Sequence, residues 1–482
     1  MSLIASVTDA PISAGRADAQ RRAARDFVAT RRVPTWPAVP PVAAWLLRLA
    51  LPGLSVDEST MALARFSAPP RVGVAPAPLA DIARSVLRVP AIIAFLLARA
   101  VSRRPTRRRF DVLLYCGERT YFEGRLARIA HELRDLSVGI SGSDADLDTP
   151  PMRLEFDARA AWRVALVAPL ALPLLTVTAV RARSNVLKGF GRAAATYTQA
   201  LAFFHRFPCR AFLTYEENTC SPTMHAAFRA AGGRMFAAFQ NGLWYNDEGF
   251  DHSSVDVLFS LGQAWADRHR RLGSRVTRAV PVGALLLGSQ PAAIAGIAKR
   301  YDVVFIDQGT PDAGAQHWST AGPAQAAVFL EFVRRFARGH PKLRLVYQMR
   351  AYPTSRAFIG HCVHEWFAGV PIELLEGHGF MQAYRTVAAS NVAVTIHSTL
   401  GLEAFAMGTT PVFCNFTGLP DYDVLPGPLQ VNAAHYETFA ERVEAALAGR
   451  IGPQDVDVDY FLSSNTLHAP AIIAGEIRRA VS

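Results

Sequence analysis

Residues 392–416 read VAVTIHSTLGLEAFAMGTTPVFCNF, and this stretch decides the fold. Its apolar beginning belongs to a predicted buried strand, Asn391–Ile396, and a polar turn, His397 to Thr399, separates that strand from a helical segment. The run from Thr410 to Cys414 predicts the next strand. A strand, a helix and a second strand in this order predict two parallel strands joined by a crossover helix.

The same alternation of strands and helices continues on both sides of this stretch. The other predicted strands are Phe110–Tyr115, Ala211–Tyr215, Arg234–Phe239, Val255–Ser260, Asp302–Ile306, Leu343–Met349 and Ile372–Leu374. Because helical segments separate most of them, the sequence predicts an α/β fold with parallel sheets covered by helices on both faces. The pattern restarts near residue 300, which predicts two Rossmann-like domains facing a cleft.

The charge distribution distinguishes a third region at the beginning of the chain. The net charge is +11, and residues 1–110 alone hold 17 basic and 6 acidic side chains. We predict a basic, partly apolar helical extension at residues 1–109, an acceptor-side domain at residues 110–285 and a nucleotide-donor domain at residues 286–482, with a linker at residues 282–300. A positive surplus confined to one end favours an anionic membrane surface as a partner and argues against nucleic acid.

Three short apolar runs flanked by arginine bear on membrane contact. Val42–Leu51, Val89–Val101 and Val164–Val180 are each shorter than the about 20 apolar residues of a bilayer span, and each contains arginine or proline. Val89–Val101 is followed by five arginines between Arg103 and Arg109, which is typical of an interfacial helix; a buried helix followed by a solvated loop is the alternative. We expect a cytoplasmic protein, peripheral on the inner face of the plasma membrane.

Several kinds of site are absent from the sequence. The five cysteines form no C-x-x-C pair, which argues against a disulfide framework or a zinc ribbon. There is no Walker loop, no G-x-G-x-x-G fingerprint and no serine-hydrolase elbow. Three D-x-D triplets, beginning at Asp144, Asp421 and Asp455, lie in predicted loops. We therefore expect no metal and no cofactor.

The turn after Ile396 is the best candidate for a phosphate site. The hydroxyls of Ser398 and Thr399 and the first N–H groups of the next helix would donate to an anion at the carboxyl edge of the sheet. Glu403, one turn further, would accept from ribose hydroxyls. The alternative is structural, with Ser398 or Thr399 capping the helix and Glu403 complementing its dipole.

Two other strand ends in the same half carry suitable residues. The strand Leu343–Met349 is followed by Arg350, whose guanidinium would pair with a donor phosphate; an exposed loop arginine is the alternative. The strand Asp302–Ile306 opens into a loop that contains Gly309 and Thr310.

Together these motifs resemble the donor-nucleotide half of GT-B glycosyltransferases, above all bacterial capsule and surface-polysaccharide transferases, whose relatives transfer Kdo, sialic acid or glycerol phosphate. The resemblance covers about residues 200 to 420. It rests on a glycine-containing loop after the first strand, a cation-x-His-Pro box, and a Ser/Thr pair followed by Glu-Ala and Gly-x-x-Pro. It implies that Arg350 and Pro353 occupy the box, Ser398 and Thr399 the hydroxyl pair, and Glu403 the Glu-Ala position.

The first half is similar to the same transferases at two places. Tyr215 and Glu216, at a strand end, resemble their Tyr-Glu motif, and Gln240–Asn241–Gly242 resembles their Gln-His-Gly/Ser loop. The resemblance implies that Glu216 faces the cleft as general base to an acceptor hydroxyl, with its neighbour Glu217 as the alternative.

The function implied by the resemblance is a metal-independent glycosyltransferase. It would move a sugar or sugar acid from a nucleotide donor, a CMP-sugar in the first instance, to a surface polysaccharide or a lipid-linked glycan. Tyr352 and Asn241 stand where the family has histidines, and His397 is the candidate to replace one of them. Two alternatives stay open: a polyol-phosphate transferase of the same fold, and a catalytically inactive scaffold of a polysaccharide-assembly complex.

Overall fold

The structure of the protein is a computed structural model. It describes residues 39–67, 79–101, 108–117, 122–142, 155–182, 184–215, 220–240, 252–307, 322–349, 363–376 and 380–482, together with a few single positions that include Glu217, Gly242 and Leu243.

The strands of the described residues are short and mostly buried. They are β1 (Ala100–Val101), β2 (Phe110–Gly117), β3 (Val138–Gly142), β4 (Phe156–Asp157), β5 (Cys209–Thr214), β6 (Met235–Phe239), β7 (Ser254–Ser260), β8 (Arg275–Pro281), β9 (Tyr301–Ile306), β10 (Leu345–Gln348), β11 (Glu373–Leu375), β12 (Ser390–Thr395), β13 (Thr410–Cys414) and β14 (Gln430–Val431). Of these, β1, β3, β4, β8 and β14 were not predicted from the sequence.

Helices occupy most of the remaining described chain. They are α1 (Pro41–Ala50), α2 (Val56–Ser67), α3 (Leu79–Ala98), α4 (Ala127–Glu132), α5 (Ala158–Ala182), α6 (Val186–Arg206), α7 (Pro222–Ala230), α8 (Gln263–Arg271), α9 (Leu285–Ser289), α10 (Gly322–Gly339), α11 (Phe380–Ala388), α12 (Thr399–Glu403), α13 (Tyr436–Leu447), α14 (Val458–Phe461) and α15 (Ala469–Val481). A π-helical turn, Phe122–Leu126, precedes α4, and a 3-10 turn, Ala404–Met407, follows α12.

Two six-stranded parallel sheets organise the chain. The first has the order β3-β2-β5-β6-β7-β8 and the second has the order β11-β10-β9-β12-β13-β14. Numbered along the chain, the second order is the 3-2-1-4-5-6 arrangement of a doubly wound Rossmann sheet. The predicted α/β class with two Rossmann-like sheets is therefore confirmed.

Each sheet has one place where the order of its strands reverses. In the second sheet the chain runs outward from β9 through β10 to β11, and β12 then pairs with the other side of β9. In the first sheet the chain runs from β2 to β3, and β5 then pairs with the other side of β2. Connections leave such neighbouring strands in opposite directions, so a crevice opens beyond their carboxyl ends, and ligands of α/β proteins bind there.

A layer of helices covers one face of the first sheet. Helices α1, α2, α3, α5 and α6 pack there around an aromatic cluster that includes Phe204, Phe212, Phe228 and Phe236. The described part of the predicted N-terminal extension is thus built into this core, since Ala43, Leu46 and Leu47 of α1 are fully buried. The boundaries of the predicted extension and of the two domains stay predictions.

The end of the chain returns to the first sheet. Trp265 of α8 donates from Nε1 to the Phe461 carbonyl at 2.7 Å, and Arg278 of β8 pairs with Glu476 of α15. Gly262 makes this approach possible, because a Cβ at that position would lie 2.4 Å from the Phe461 carbonyl carbon. The predicted linker is also packed, since Leu285, Leu286 and Leu287 of α9 are buried.

Candidate functional site

The carboxyl edge of the second sheet brings two polar segments together at the point of reversal. Asp307 follows β9, while His397, Ser398 and Thr399 follow β12, and β9 and β12 are paired with Val394 opposite Phe305. Asp307 is buried, and the Tyr347 hydroxyl of β10 donates to its Oδ1 at 3.0 Å. His397, Ser398 and Thr399 are partly exposed, so solvent reaches them.

Ser398 begins the helix that follows β12. Its backbone is extended, with φ −70° and ψ 134°, and its Oγ accepts from the Leu400 N–H at 3.3 Å. The structural interpretation of Ser398 as a helix cap is therefore confirmed. An N-cap hydroxyl keeps its proton for another acceptor, so capping and donation to a phosphate are compatible.

Gly401 sets how closely α12 packs on the sheet. A Cβ at position 401 would lie 2.5 Å from Cγ2 of Thr395 and 3.2 Å from the Phe413 ring. A glycine here lets the helix start touch the ends of β12 and β13, which is the close helix–strand packing required at Rossmann nucleotide sites. The position of Ser398 and Thr399 thus depends on the absence of a side chain two residues further on.

Glu403 ends α12 in a buried hydrogen bond. The hydroxyl of Tyr384, on α11, donates to Glu403 Oε2, and both side chains are less than 10% exposed. Burial raises the pKa of Glu403 to about 7, against the Tyr384 hydrogen bond and the positive charge of Arg125, which lower it. Burial and the Glu403 charge raise the pKa of Tyr384 well above its usual value.

Arg125 connects the two halves at this site. It belongs to the π-helical turn of the first half, yet its charge acts on both Glu403 and Tyr384 of the second half. Ser289, at the end of α9, donates to the Arg125 carbonyl at 3.0 Å and holds the turn in place. Sequence reasoning missed Arg125 and Tyr384, because nothing in the sequence shows that residues so far apart meet.

The residues predicted for the first half have structural partners where they are described. Glu217 is 1% exposed, and its Oε1 lies 3.9 Å from Nε2 of His269, whose pKa burial and Arg268 lower to about 4. Gln240 is equally buried; its Oε1 accepts from the Leu261 N–H at 3.1 Å and its Nε2 donates to the Gly242 carbonyl at 2.9 Å. Both side chains are therefore buried against other parts of the protein.

Six predicted site residues lie outside the described residues: Glu216, Asn241, Gly309, Thr310, Arg350 and Pro353. Tyr352, Arg103, Arg104, Arg107 and the Asp144 triplet lie outside them as well. In the sequence, the first six follow β5, β6, β9 and β10.

A Ser–His–Asp arrangement elsewhere does not form a hydrolase site. The ring of His225 has Nδ1 2.9 Å from Ser254 Oγ and Nε2 3.1 Å from Asp256 Oδ2. Ser254 is fully buried at the amino-terminal end of β7, so no substrate reaches its hydroxyl. The group joins α7 to β7.

Within the described parts of the chain, no three His, Cys, Asp or Glu side chains cluster as metal ligands would. Two of the D-x-D triplets have structural contacts there: Asp423 accepts from Asn415 Nδ2 at 2.7 Å, and Asp455 accepts from the Gly452 N–H at 2.9 Å.

Comparison with known proteins gives likeness of fold. No protein-family model and no curated protein matches the chain. Similar solved structures include a UDP-GlcNAc 2-epimerase from Neisseria meningitidis bound to UDP-GlcNAc (10% identity, 77% of this chain and 100% of that one, TM-score 0.46) and a UDP-N-acetylglucosamine 2-epimerase from Rickettsia bellii (11%, 77% and 95%, 0.47). A UDP-forming α,α-trehalose-phosphate synthase from Burkholderia xenovorans is another (12%, 77% and 99%, 0.42).

With two parallel Rossmann-like sheets in one chain, the architecture is that of the GT-B fold. At these identities the likeness concerns the course of the chain and leaves the substrate open.

Proposed function

We propose that the protein is a glycosyltransferase that moves a sugar or sugar acid from a nucleotide donor, a CMP-sugar in the first instance, to a surface polysaccharide or lipid-linked glycan. The observation that carries the proposal is the reversal of strand order between β9 and β12, with His397, Ser398 and Thr399 partly exposed at its carboxyl edge. The motif resemblance of residues 392–416 supports the same assignment.

In this proposal the donor phosphate lies against the turn after β12. Ser398 and Thr399 donate to its oxygens, and His397 and Arg350 supply positive charge or a proton as the phosphate leaves. Stabilising charge on the leaving phosphate lowers the barrier for breaking the glycosidic bond to the donor. No metal ion is required by this arrangement.

For Glu403 we propose a role different from the one predicted from the sequence. Its carboxylate accepts from Tyr384 and is buried, so we assign it to positioning α12 and not to the ribose. Glu216, which follows β5 at the point of reversal in the first sheet, is the proposed general base to the acceptor hydroxyl. Glu217 is buried against His269, and this favours Glu216 as the base in the proposal.

The first test is a thermal-shift panel of CMP, CDP, UDP, GDP and ADP with the full-length protein. A ligand that binds only the folded state raises the melting temperature with its concentration, so the best nucleotide is identified directly. We expect CMP to give the largest rise. A panel in which no nucleotide changes the melting temperature would contradict the proposal.

The second test is the double substitution Ser398→Ala with Thr399→Ala. Each hydroxyl donates a charge-assisted hydrogen bond worth about 1.5 to 3 kcal/mol, so we expect nucleotide affinity to fall at least about tenfold. Ser463→Ala is the matched control, because the Ser463 hydroxyl accepts from Asn465 N–H at 3.3 Å, the same distance and spacing as at Ser398. If the double variant and the control bind nucleotide equally, the hydroxyls only cap a helix.

Product analysis separates the proposal from its rivals. A product that has gained phosphorus with the transferred group identifies a polyol-phosphate transferase. Nucleotide binding without turnover on any glycan acceptor identifies a scaffold protein.

A further inference from the structure

The outward side of α5 is apolar along most of its length. Its exposed apolar residues, here called the α5 outer face, are Trp162, Leu166, Pro169, Leu170, Pro173, Leu174, Val177 and Val180. At about 100° per residue they fall within an arc of about 140°. Leu166 and Leu170 are 74% and 66% exposed. A helix that faces water carries charged residues along its outward side, and this one carries them only at its ends.

The α5 outer face is bounded by arginine at both ends. No charged residue lies between Arg163 and Arg181, which are about 27 Å apart along the helix at about 1.5 Å per residue. Arginine at the ends of an apolar surface can extend its guanidinium to the polar layer while its stem stays on the apolar side. Trp162 at one end, and Trp45 on the adjacent helix α1, are both more than half exposed.

The opposite side of α5 is packed on protein. Ala161, Val164, Ala171, Leu175 and Ala179 are fully buried in the core shared with α1, α3 and α6. By length and composition the segment Ala158–Arg181 could cross a membrane, and a third of its most apolar window is buried inside the protein. One side alone is therefore available to lipid.

A basic cleft opens at the amino-terminal end of this helix. It measures about 1000 Å³ and is lined by Arg48, Arg163, Arg229, Arg270 and Arg275, together with Asp57 and Glu58. Glu58 pairs with Arg229 and Arg275, and Asp267 pairs with Arg270.

Arg48 and Arg163 have no carboxylate partner among the described residues, and Arg163 donates instead to the Leu49 carbonyl at 3.0 Å. The cleft therefore carries uncompensated positive charge next to Trp162.

We propose that the α5 outer face docks on the surface of an anionic lipid bilayer, with Arg48 and Arg163 binding lipid phosphate at its amino-terminal end. The apolar face supplies contact with acyl chains and the cleft supplies charge complementary to the headgroups. The helix lies in the plane of the interface, because its inner side is held in the protein core. This proposal is independent of the nucleotide site and goes beyond the proposed function.

It also adds a segment to the predicted membrane contact. The sequence left Val89–Val101 open between an interfacial helix and a buried helix; Val89 and Leu96 of α3 are buried in the same core, whereas Phe95 is 42% exposed. The longest exposed apolar surface of the described helices belongs to α5.

The test is flotation of the full-length protein with vesicles of phosphatidylcholine alone and of phosphatidylcholine mixed with phosphatidylglycerol. We expect binding to the mixed vesicles, and a fall of at least about tenfold in the partition coefficient for Leu166→Ser with Leu170→Ser. Leu419→Ser with Leu467→Ser is the matched control, because these leucines are 49% and 42% exposed outside α5. Equal binding by the two double variants would overturn the proposal.

A second flotation experiment tests the arginines of the cleft with the double variant Arg48→Gln with Arg163→Gln. The control is Arg338→Gln with Arg450→Gln, because both of these arginines are exposed and lie in the second half. We expect the first pair to lose about tenfold on mixed vesicles and to match wild type on phosphatidylcholine, whereas the second pair binds like wild type on both. A loss that does not depend on phosphatidylglycerol would overturn the role of the cleft.

Two further outcomes would replace the bilayer surface by another occupant. Protein that resists alkaline carbonate extraction from membranes would show that α5 spans the bilayer. A dimer in solution that Leu166→Ser with Leu170→Ser converts to a monomer, with vesicle binding unchanged, would show that a second copy of the chain covers the face. We expect release by carbonate and no change of oligomeric state. Unchanged melting temperatures would confirm that the surface variants are folded.

Discussion

The buried acid at the end of α12 makes the stability of the second half depend on pH. The pKa of Glu403 rises from 4.5 to about 7 in the folded protein, chiefly because the carboxyl is buried. Between these two values the unfolded chain loses the proton while the folded chain keeps it, so the unfolded state binds fewer protons. Stability therefore falls as pH rises through this window and is level above it.

The size of the effect follows from the pKa change. A rise from 4.5 to about 7 corresponds to about 3 kcal/mol in the free energy of unfolding, since each pKa unit is worth about 1.4 kcal/mol. Glu403→Gln carries the neutral amide at every pH and keeps an oxygen that accepts from Tyr384. The variant therefore lacks the pH dependence that Glu403 gives to wild type. We expect its free energy of unfolding, relative to that of wild type, to increase by about 3 kcal/mol between about pH 4.5 and about pH 8.

The assay is urea unfolding followed by tryptophan fluorescence, with wild type and variant compared at both pH values. Glu437→Gln is the control, because Glu437 has a side chain that is 76% exposed and lies in the same half. The control should follow the wild-type pH profile. A Glu403→Gln variant that also follows the wild-type profile would refute the argument that burial keeps this acid neutral.

Two other pairs of substitutions test the proposed general base and the packing of the chain end on the first sheet. We expect Glu216→Gln to lower kcat by about 10² to 10⁴ with nucleotide affinity within a few fold of wild type. Glu217→Gln should lower kcat less than about tenfold, because that side chain is buried against His269. Steady-state kinetics with the donor found in the panel measures both values, and an inactive Glu217→Gln with an active Glu216→Gln would reverse the assignment. Gly262→Ala should lower the free energy of unfolding by about 1 to 3 kcal/mol, because the new methyl group meets the Phe461 backbone. Gly475→Ala, in α15, should raise the free energy of unfolding by about 0.5 to 1 kcal/mol, because its methyl group would meet no other atom within 4 Å. Equal unfolding free energies for the two alanine variants would contradict the packing of α14 on α8.

The central strands of the two parallel sheets could be predicted from the sequence because they are continuous apolar runs. Strands such as Ser390–Thr395 and Thr410–Cys414 lie within one residue of their predicted ends. The strand Arg275–Pro281 was missed because it lies at the edge of its sheet, where Arg275 and Arg278 face solvent and interrupt the apolar pattern. Val138–Gly142 was missed because two glycines make a weak strand signal.

The helical layer was harder to predict than the sheets. Pro169 and Pro173 argued against a bilayer span, and α5 runs through both of them; they lie on its exposed side, where their rings do not disturb the core. Glu403 was predicted to face a ribose, and its burial depends on Tyr384 and Arg125, which come from distant parts of the chain. Such long-range contacts leave no local pattern in the sequence.

Hydrogen–deuterium exchange with and without the nucleotide that stabilises the protein most tests the central claim directly. If the point of reversal in the second sheet binds the donor, saturating nucleotide will slow exchange of the amides at residues 397–401, and the Ser398→Ala with Thr399→Ala variant will require at least about tenfold more nucleotide for the same protection. Protection confined to the first sheet, or no protection at residues 397–401 in the saturated protein, would contradict the claim.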